Sequence, residues 1–405
     1  MNLRMSERRT SMLGALLATL GPISMSIYTP AMPELVQAFA TTESMIKLTL
    51  SVYFGGFSVA QLIAGPMSDA FGRKKATLAF VGINLLGSLV CAFAPTVDWL
   101  LAGRLIQGIG ASVGITVARA IVRDQFTGAE ASRIMNLIGI MLAIGPAMAP
   151  TLGGLALAAF GWQAIFFLLI GFALIAIVAV IVFMRETTVP DRRRARPGPL
   201  VSAYGELIRD PRFVAAAIVL GGSVGALYAQ STMLSFILID RVGMTPTAFG
   251  IGMLMQSGCY FSGSVCLKLT AAKLGGEGSV RVGLALCGIG ALMIALFVHF
   301  IEPTYLSVML PIAFSAFGTA FLTPHMTTAA LHSFPHIAGS ASAMMGFIQM
   351  AGGFLGGLAA ALLGTPFTAF GVIIPVMLST SVVSYVWFQY STRRLVLDSA
   401  RTSGE

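Results

Sequence analysis

Few side chains in this sequence could do acid–base or ionic chemistry, and they stand at particular places. The stretch Gly65-Pro66-Met67-Ser68-Asp69-Ala70-Phe71-Gly72-Arg73-Lys74-Lys75 lies between two long apolar runs, Leu48–Ala64 and Ala76–Ala94. Asp69 and Arg73 are four residues apart with the acid first, an order that pairs well on a helical turn. Gly65 and Gly72 frame the stretch and admit backbone geometries that a Cβ resists. Asp124 closes another apolar run on the same side as Arg73, which makes it a candidate third member of this ionic group. Arg104 lies within an apolar run, where a lone cation costs about 2.5–3.5 kcal/mol on insertion scales. It must face a bundle interior, either tying two helices together or lining a cavity as a fixed charge. Gln107 follows on the same helical face. His325, beside Pro324, has an ordinary pKa near about 6.5, so it is either a titrating group or a packed histidine.

The elements that must position these residues follow from composition. The chain of 405 residues is 56% hydrophobic and 10% charged, with a mean hydropathy of +0.87. Soluble domains carry about 25% charged residues, so this chain has too few to clothe a water-facing surface. It is read as an all-α membrane protein of twelve spanning helices, each needing roughly 20 apolar residues. The net charge of +9 does not imply nucleic acid, because the bases sit in short clusters between apolar runs, as on the cytoplasmic side of membrane proteins. Cys91, Cys259, Cys266 and Cys287 lie inside apolar runs without ligand spacing and read as packing residues. The arginines of Met1–Thr10 followed by an apolar run resemble the first half of a signal peptide, but without a small-residue cleavage site the first helix is expected to be retained.

In order, helices are expected at about 11–29, 47–65, 76–94, 98–118, 133–156 and 163–184, with Trp162 suited to a membrane interface. The long polar segment Arg185–Arg212, with Arg192, Arg193, Arg194 and Arg196 among three prolines, reads as a linker with an interfacial helix at Leu200–Ile208. Six more helices follow at about 213–237, 247–269, 280–299, 303–323, 338–363 and 368–390. The expected units are therefore a bundle at 1–184, a cytoplasmic linker at 185–212, a second bundle at 213–390 and a cytoplasmic tail at 391–405. Two six-helix pseudo-symmetric bundles are an arrangement used by transporters. With both termini cytoplasmic, every Lys and Arg except Lys47, Arg104 and Arg241 falls at the inner side, which fixes the expected orientation.

Helix 5 carries Pro146 and Pro150 one turn apart, each without a backbone donor, within the run Gly145-Pro146-Ala147-Met148-Ala149-Pro150-Thr151-Leu152-Gly153-Gly154. With its small residues it is expected to pack closely on its pseudo-symmetric counterpart, helix 11, which is itself rich in glycine at 352, 353, 356 and 357. Tyr28, Tyr53, Tyr228, Gln256, Tyr260 and Gln349 are the candidate substrate contacts, since amphipathic side chains on cavity-facing helices suit varied organic molecules. Most of the Phe and Met residues are expected to pack or face lipid.

The spacing of Gly65, Asp69, Gly72, Arg73 and the basic pair resembles the loop motif that follows the second helix in the major facilitator superfamily. Lys268–Arg281 resembles its degenerate second copy. Arg104-Leu105-Ile106-Gln107-Gly108-Ile109-Gly110 is similar to the family's arginine motif, and Gly145–Gly154 to that of the drug/proton antiporter branch. Tyr28–Pro33, Ala118–Asp124, Pro146–Gly154 and Pro324–Gln349 resemble the bicyclomycin-resistance, or Bcr/CflA, type of multidrug exporter. The resemblance spans essentially the whole chain. It implies a monomeric secondary transporter of a bacterial inner membrane, exporting drugs or small amphipathic molecules by proton antiport, without a cofactor or metal. It also implies that the helix 5 motif seals the two halves together in one state. From the residues themselves, Asp69, grouped with Arg73 and Asp124, is expected to latch onto the start of helix 11 at about 339–343, where a helix N-terminus favours a negative charge. One departure stands out: Ser26 occupies the place of the acid that the branch carries in helix 1, and no Asp or Glu lies deep in a span. A metabolite permease or facilitator of the same fold is the alternative, and a membrane-embedded enzyme or receptor a more distant one, because no catalytic pair, ligand cluster or nucleophile motif is present.

Overall fold

The computed structural model describes residues 5–192 and 196–402, with 394–402 described by backbone alone. Arg193 and Arg194 of the expected linker lie outside the described residues. Apolar runs of this length can satisfy their backbone polar groups within a bilayer only as helices or closed barrels, and the described residues form helices throughout. The spans are α1 Glu7–Ala38, α2 Glu43–Phe71, α3 Arg73–Ala92, α4 Val97–Gln125, α5 Gly128–Phe160, α6 Gln163–Phe183 and α7 Pro211–Ser231. The stretch Pro246–Phe300 is 55 residues long, more than twice what one crossing needs. It breaks at Gly275, where φ is 66°, and so supplies two spans, α8 (246–274) and α9 (276–300). Next come α10 Tyr305–His332, α11 Pro335–Leu362 and α12 Pro366–Arg393. The expected total of twelve is met. An even number of crossings brings the two ends of the chain to one face, here termed the terminal face.

The helix ends follow local chemistry. Ser6, Thr42 and Thr245 accept hydrogen bonds from backbone N–H groups three residues on, and Thr304 forms a reciprocal capping pair with Ser307. The run from Gly65 to Phe71 differs from expectation. It is not a loop, because α2 continues through Pro66 to Phe71 and the whole reversal falls on Gly72. There φ is 96° and ψ is 144°, a region costly for any residue with a Cβ. The Glu186 carboxylate then accepts from the N–H groups of Arg73 (2.7 Å) and Lys74 (3.3 Å), placing negative charge on the N-terminus of α3.

One apolar core is drawn from residues 207–385, with α7 at its centre, and two others come mostly from α1–α6. The halves meet where α2 packs on α11 and α5 on α8. The linker helix Pro197–Arg209 is longer than the expected 200–208 and touches both halves. Its Tyr204 hydroxyl donates to the Leu62 carbonyl at 2.6 Å, its Glu206 carboxylate meets His336 at 3.0 Å, and Leu207 is buried in the second core. Burial pushes the Tyr204 phenol up to about 12, so it stays a donor. Trp162 packs on Phe39 and Phe166. Lys47 adds a contact that the sequence did not indicate. Expected at the outer side of the membrane, its side chain is fully buried between the halves and Nζ donates to the Ala360 carbonyl at 2.7 Å.

Gly72→Val should cost about 1–3 kcal/mol and displace the Glu186 cap. Thermal unfolding of the purified variant in detergent should show a clearly lowered midpoint, and an unchanged midpoint would contradict the strain assigned to this position.

Candidate functional site

A cavity of about 450 Å³ lies between the two halves, within the range of small-molecule sites. Each helix contributes one stripe at three- and four-residue spacing, as one face of a helix must. Met25, Ser26 and Thr29 come from α1, and Leu227, Tyr228 and Ser231 from its counterpart α7. Helix α5 presents Gly139, Pro146 and Pro150, and α8 presents Met253, Gln256 and Tyr260. Ile115 and Arg119 of α4, Thr323 of α10 and Gln349 of α11 also line the wall. Gln256 is steadied by a 3.1 Å hydrogen bond from Gln230, and Tyr228 packs on Phe54 of the other half.

Beside Pro150, at one end of the lining stripe of α5, the two halves meet in a close contact. A Cβ on Gly154 would collide with the Pro246 carbonyl oxygen, and one on Gly250 with that of Pro150. Only glycine allows the α5 and α8 backbones to come this close. Thr247 Oγ1 also donates to the Gly154 carbonyl at 3.3 Å. These contacts lie in the half of α5 farthest from the terminal face, while the lining stripe runs from Pro150 back toward Gly139. The α5–α8 contact corrects a second expectation. The counterpart of the helix 5 motif is the start of α8, not α11; Gly153 abuts α1 at Ile27, and the α11 glycines pack on α2 at Ser51 and on α7 at Gly221.

Arg104 sits behind the cavity wall rather than in it. Its guanidinium lies between two rings, 4.3 Å from the Tyr28 centroid and 4.4 Å from that of Tyr53, and it is fully buried. Nη1 donates to the Ser24 carbonyl at 3.3 Å and to the Gln107 side-chain oxygen. Gln107 donates on to Ser88 at 2.8 Å, Asn84 donates to the Gln107 carbonyl at 2.9 Å, and the Tyr53 hydroxyl donates to Gly21 at 2.9 Å. Helices α1 to α4 thus meet at one desolvated cation whose partners are π faces, a carbonyl and an amide. Expected cavity residues Arg104, Gln107, Tyr28 and Tyr53 are therefore corrected to a buried tie. His325 is corrected too: it packs over Gly276 at the α8–α9 break and does not line the cavity.

The ionic group of the Gly72 turn is assembled much as its spacing implied. Arg73, 2% exposed, pairs with Asp69 and donates from Nε to Asp124 at 3.1 Å and from Nη1 to Ser68 at 2.6 Å. Thr187 donates to Asp124 at 2.9 Å, and Asp191 N–H donates to the Asp69 carbonyl at 3.2 Å. All of these partners precede the linker helix. Among the described residues no hydrogen bond or ion pair joins Asp69 to 339–343; that segment is met instead by Arg119, whose Nη1 donates to Ser342 at 3.3 Å. Arg119 is the cavity residue that the sequence left unassigned. It lies near the charged end of helix 4, and its four-residue spacing from Ile115 puts the two on one face.

The family model of the Major Facilitator Superfamily matches residues 14–357. The chain belongs to the major facilitator superfamily. The uncharacterized MFS-type transporter YdgK of Bacillus subtilis is 30% identical over 386 residues, covering 94% of each chain. Multidrug resistance protein D of Escherichia coli is 25% identical, over 93% of this chain and 94% of its own. A bicyclomycin resistance protein homolog of Haemophilus influenzae is 25% identical, over 86% and 87%. Among solved structures, peptide transporter POT in complex with sulfate superposes with a TM-score of 0.76 over 95% of each chain at 13% identity. An inward-facing, unoccupied bacterial homolog of the lysosomal transporter Spinster gives 0.73 at 14% identity, over 97% of this chain and 98% of that one. At such identities these structures establish the fold. The chain is a multi-pass membrane transporter of this superfamily, and its arginine motif forms the inter-helix tie described above.

Replacing Arg104 by Lys removes the planar fit between the rings, and replacing it by Ala removes both cation–π contacts, each worth up to about 2 kcal/mol when desolvated. The thermal midpoint in detergent should fall in the order wild type, Lys, Ala. Tyr28→Leu and Tyr53→Leu should each give a smaller drop. An Ala variant as stable as wild type would contradict the tie.

Proposed function

We propose that this transporter is an exporter of drugs or small amphipathic molecules in a bacterial inner membrane, with both termini cytoplasmic, working as a monomer by alternating access and proton antiport. The observation that carries this reading is a cavity between the halves, walled by both, with a close contact away from the terminal face where Pro150, Thr151 and Gly154 pack on Pro246, Thr247 and Gly250. The export direction is supported by the position of the helix 5 motif in that contact, and by relatives named for multidrug and bicyclomycin resistance. The cytoplasmic assignment of the terminal face rests on its clustered bases.

In the cycle, the bundles 1–184 and 213–390 rock against each other. Substrate enters from the cytoplasm among Tyr228, Gln256, Tyr260 and Gln349. Closure of the cytoplasmic side brings the Asp69–Arg73–Asp124 group toward the N-terminus of α11, whose dipole favours a carboxylate. Closing that side parts the α5–α8 seal and releases substrate outward. A single chain holds the complete cavity, which is the ground for a monomer. One observation favours a second reading. Ser26 faces the cavity in the place of the helix 1 acid, and among the described lining residues there is no carboxylate. A facilitator or uptake permease needs none.

Expression in bacteria lacking their main exporters should raise resistance to some members of a panel of antibiotics and dyes. Under proton antiport a protonophore abolishes that gain. Resistance that survives collapse of the gradient would reject proton coupling, and faster accumulation in place of efflux would favour the permease. Asp69→Asn should lower transport at unchanged abundance in the membrane, whereas wild-type transport would remove Asp69 from the gate.

A further inference from the structure

We infer that the cavity selects amphipathic molecules bearing a negative charge, with Arg119 as the side chain that recognises it. This assignment rests on the transporter reading above and narrows its substrate class. Arg119 is the only charged residue among the described cavity-lining residues. The buried cations are answered within the protein: Arg73 by Asp69 and Asp124, Arg104 by the two tyrosine rings, the Ser24 carbonyl and Gln107, and Lys47 by the Ala360 carbonyl. Arg119 is exposed to the cavity space, makes no ion pair among the described residues, and has one hydrogen bond, to a neutral hydroxyl on the opposite half, Ser342 Oγ at 3.3 Å.

A cation in a cleft with low-dielectric walls focuses its field into the cleft. Its guanidinium fork matches a carboxylate, sulfonate or phosphonate with two parallel hydrogen bonds. The remaining polar wall, Gln256, Gln349, Tyr228 and Tyr260, is neutral and suits the uncharged body of such a molecule. A cationic ligand would meet like charge with no lining carboxylate to offset it. An anion on Arg119 would also compete with Ser342, so that occupancy acts directly on a contact between the halves.

The test uses two dyes with the same xanthene frame and opposite charge, anionic carboxyfluorescein and cationic rhodamine 6G. Their equilibrium binding to the full chain in nanodiscs of zwitterionic lipid is read by fluorescence anisotropy. The anion should bind about tenfold or more tightly than the cation, as expected for a charge-assisted hydrogen bond. R119Q should erase that preference by weakening the anion alone. R119K, which keeps the charge and loses the fork, should retain part of it and guards against misfolding of the glutamine variant. A cation bound as well as the anion, or a preference unchanged in R119Q, overturns the charge assignment and leaves the exporter reading standing. Binding of neither dye overturns the charge assignment, and the exporter reading then stands or falls on the resistance panel.

Discussion

A bilayer offers no water to a buried charge, so every cation that enters the bundle must be answered by the protein. That constraint organises this structure. Arg104 is answered without a carboxylate: two tyrosine rings, a carbonyl and an amide oxygen surround it, and in doing so they hold α1 to α4 in register. Arg73 is answered by acids from two helices, so the same rule ties the end of α2 to the end of α4. Lys47 finds a carbonyl on α11 and thereby joins the two halves. Arg119, turned to the cavity, also reaches across the halves, but only to the neutral hydroxyl of Ser342.

The second organising feature is the contrast between contacts within and between the halves. The second half has one apolar core and the first half two, one of which takes in Phe236 and Met350 from the second half. Between the halves the α5–α8 contact relies on glycine meeting backbone at Gly154 and Gly250. A contact made without side-chain interdigitation can part without tearing a core, which suits a seal that must open. The linker helix adds a tether that touches both sides through Tyr204 and Glu206.

Much of this was legible in the amino-acid sequence. The apolar runs and the basic clusters placed the spans, and the spacing of Asp69, Arg73 and Asp124 implied their ionic group before any contact was seen. What escaped was information about facing. Tyr28 and Tyr53 have the amphipathic chemistry of substrate contacts, but their rings turn inward to Arg104, and a linear pattern of polar residues does not say whether a stripe faces a cavity or a neighbouring helix. The same limit hid the partner of the helix 5 glycines, because internal symmetry suggested α11 while the packing chose α8. The burial of Lys47 was not legible because a cation near a helix end normally reaches water, whereas here a carbonyl on a helix more than three hundred residues later intercepts it. Gly65 to Phe71 looked like a loop because Pro66 and two glycines cluster there, yet α2 accommodates them and only Gly72 leaves the helical range.

The central claim is that the cavity opens to one face at a time. Its most direct test is a pair of distance measurements by double electron–electron resonance, in a background with Cys91, Cys259, Cys266 and Cys287 replaced. One pair of spin labels, at Ala129 and Leu269, spans the terminal ends of α5 and α8. The other, at Phe160 and Leu362, spans the halves at the opposite face. On addition of a transported compound the account predicts changes of opposite sign, with the terminal-face distance shortening as the other lengthens. Distances that stay fixed, or that change together, would contradict it.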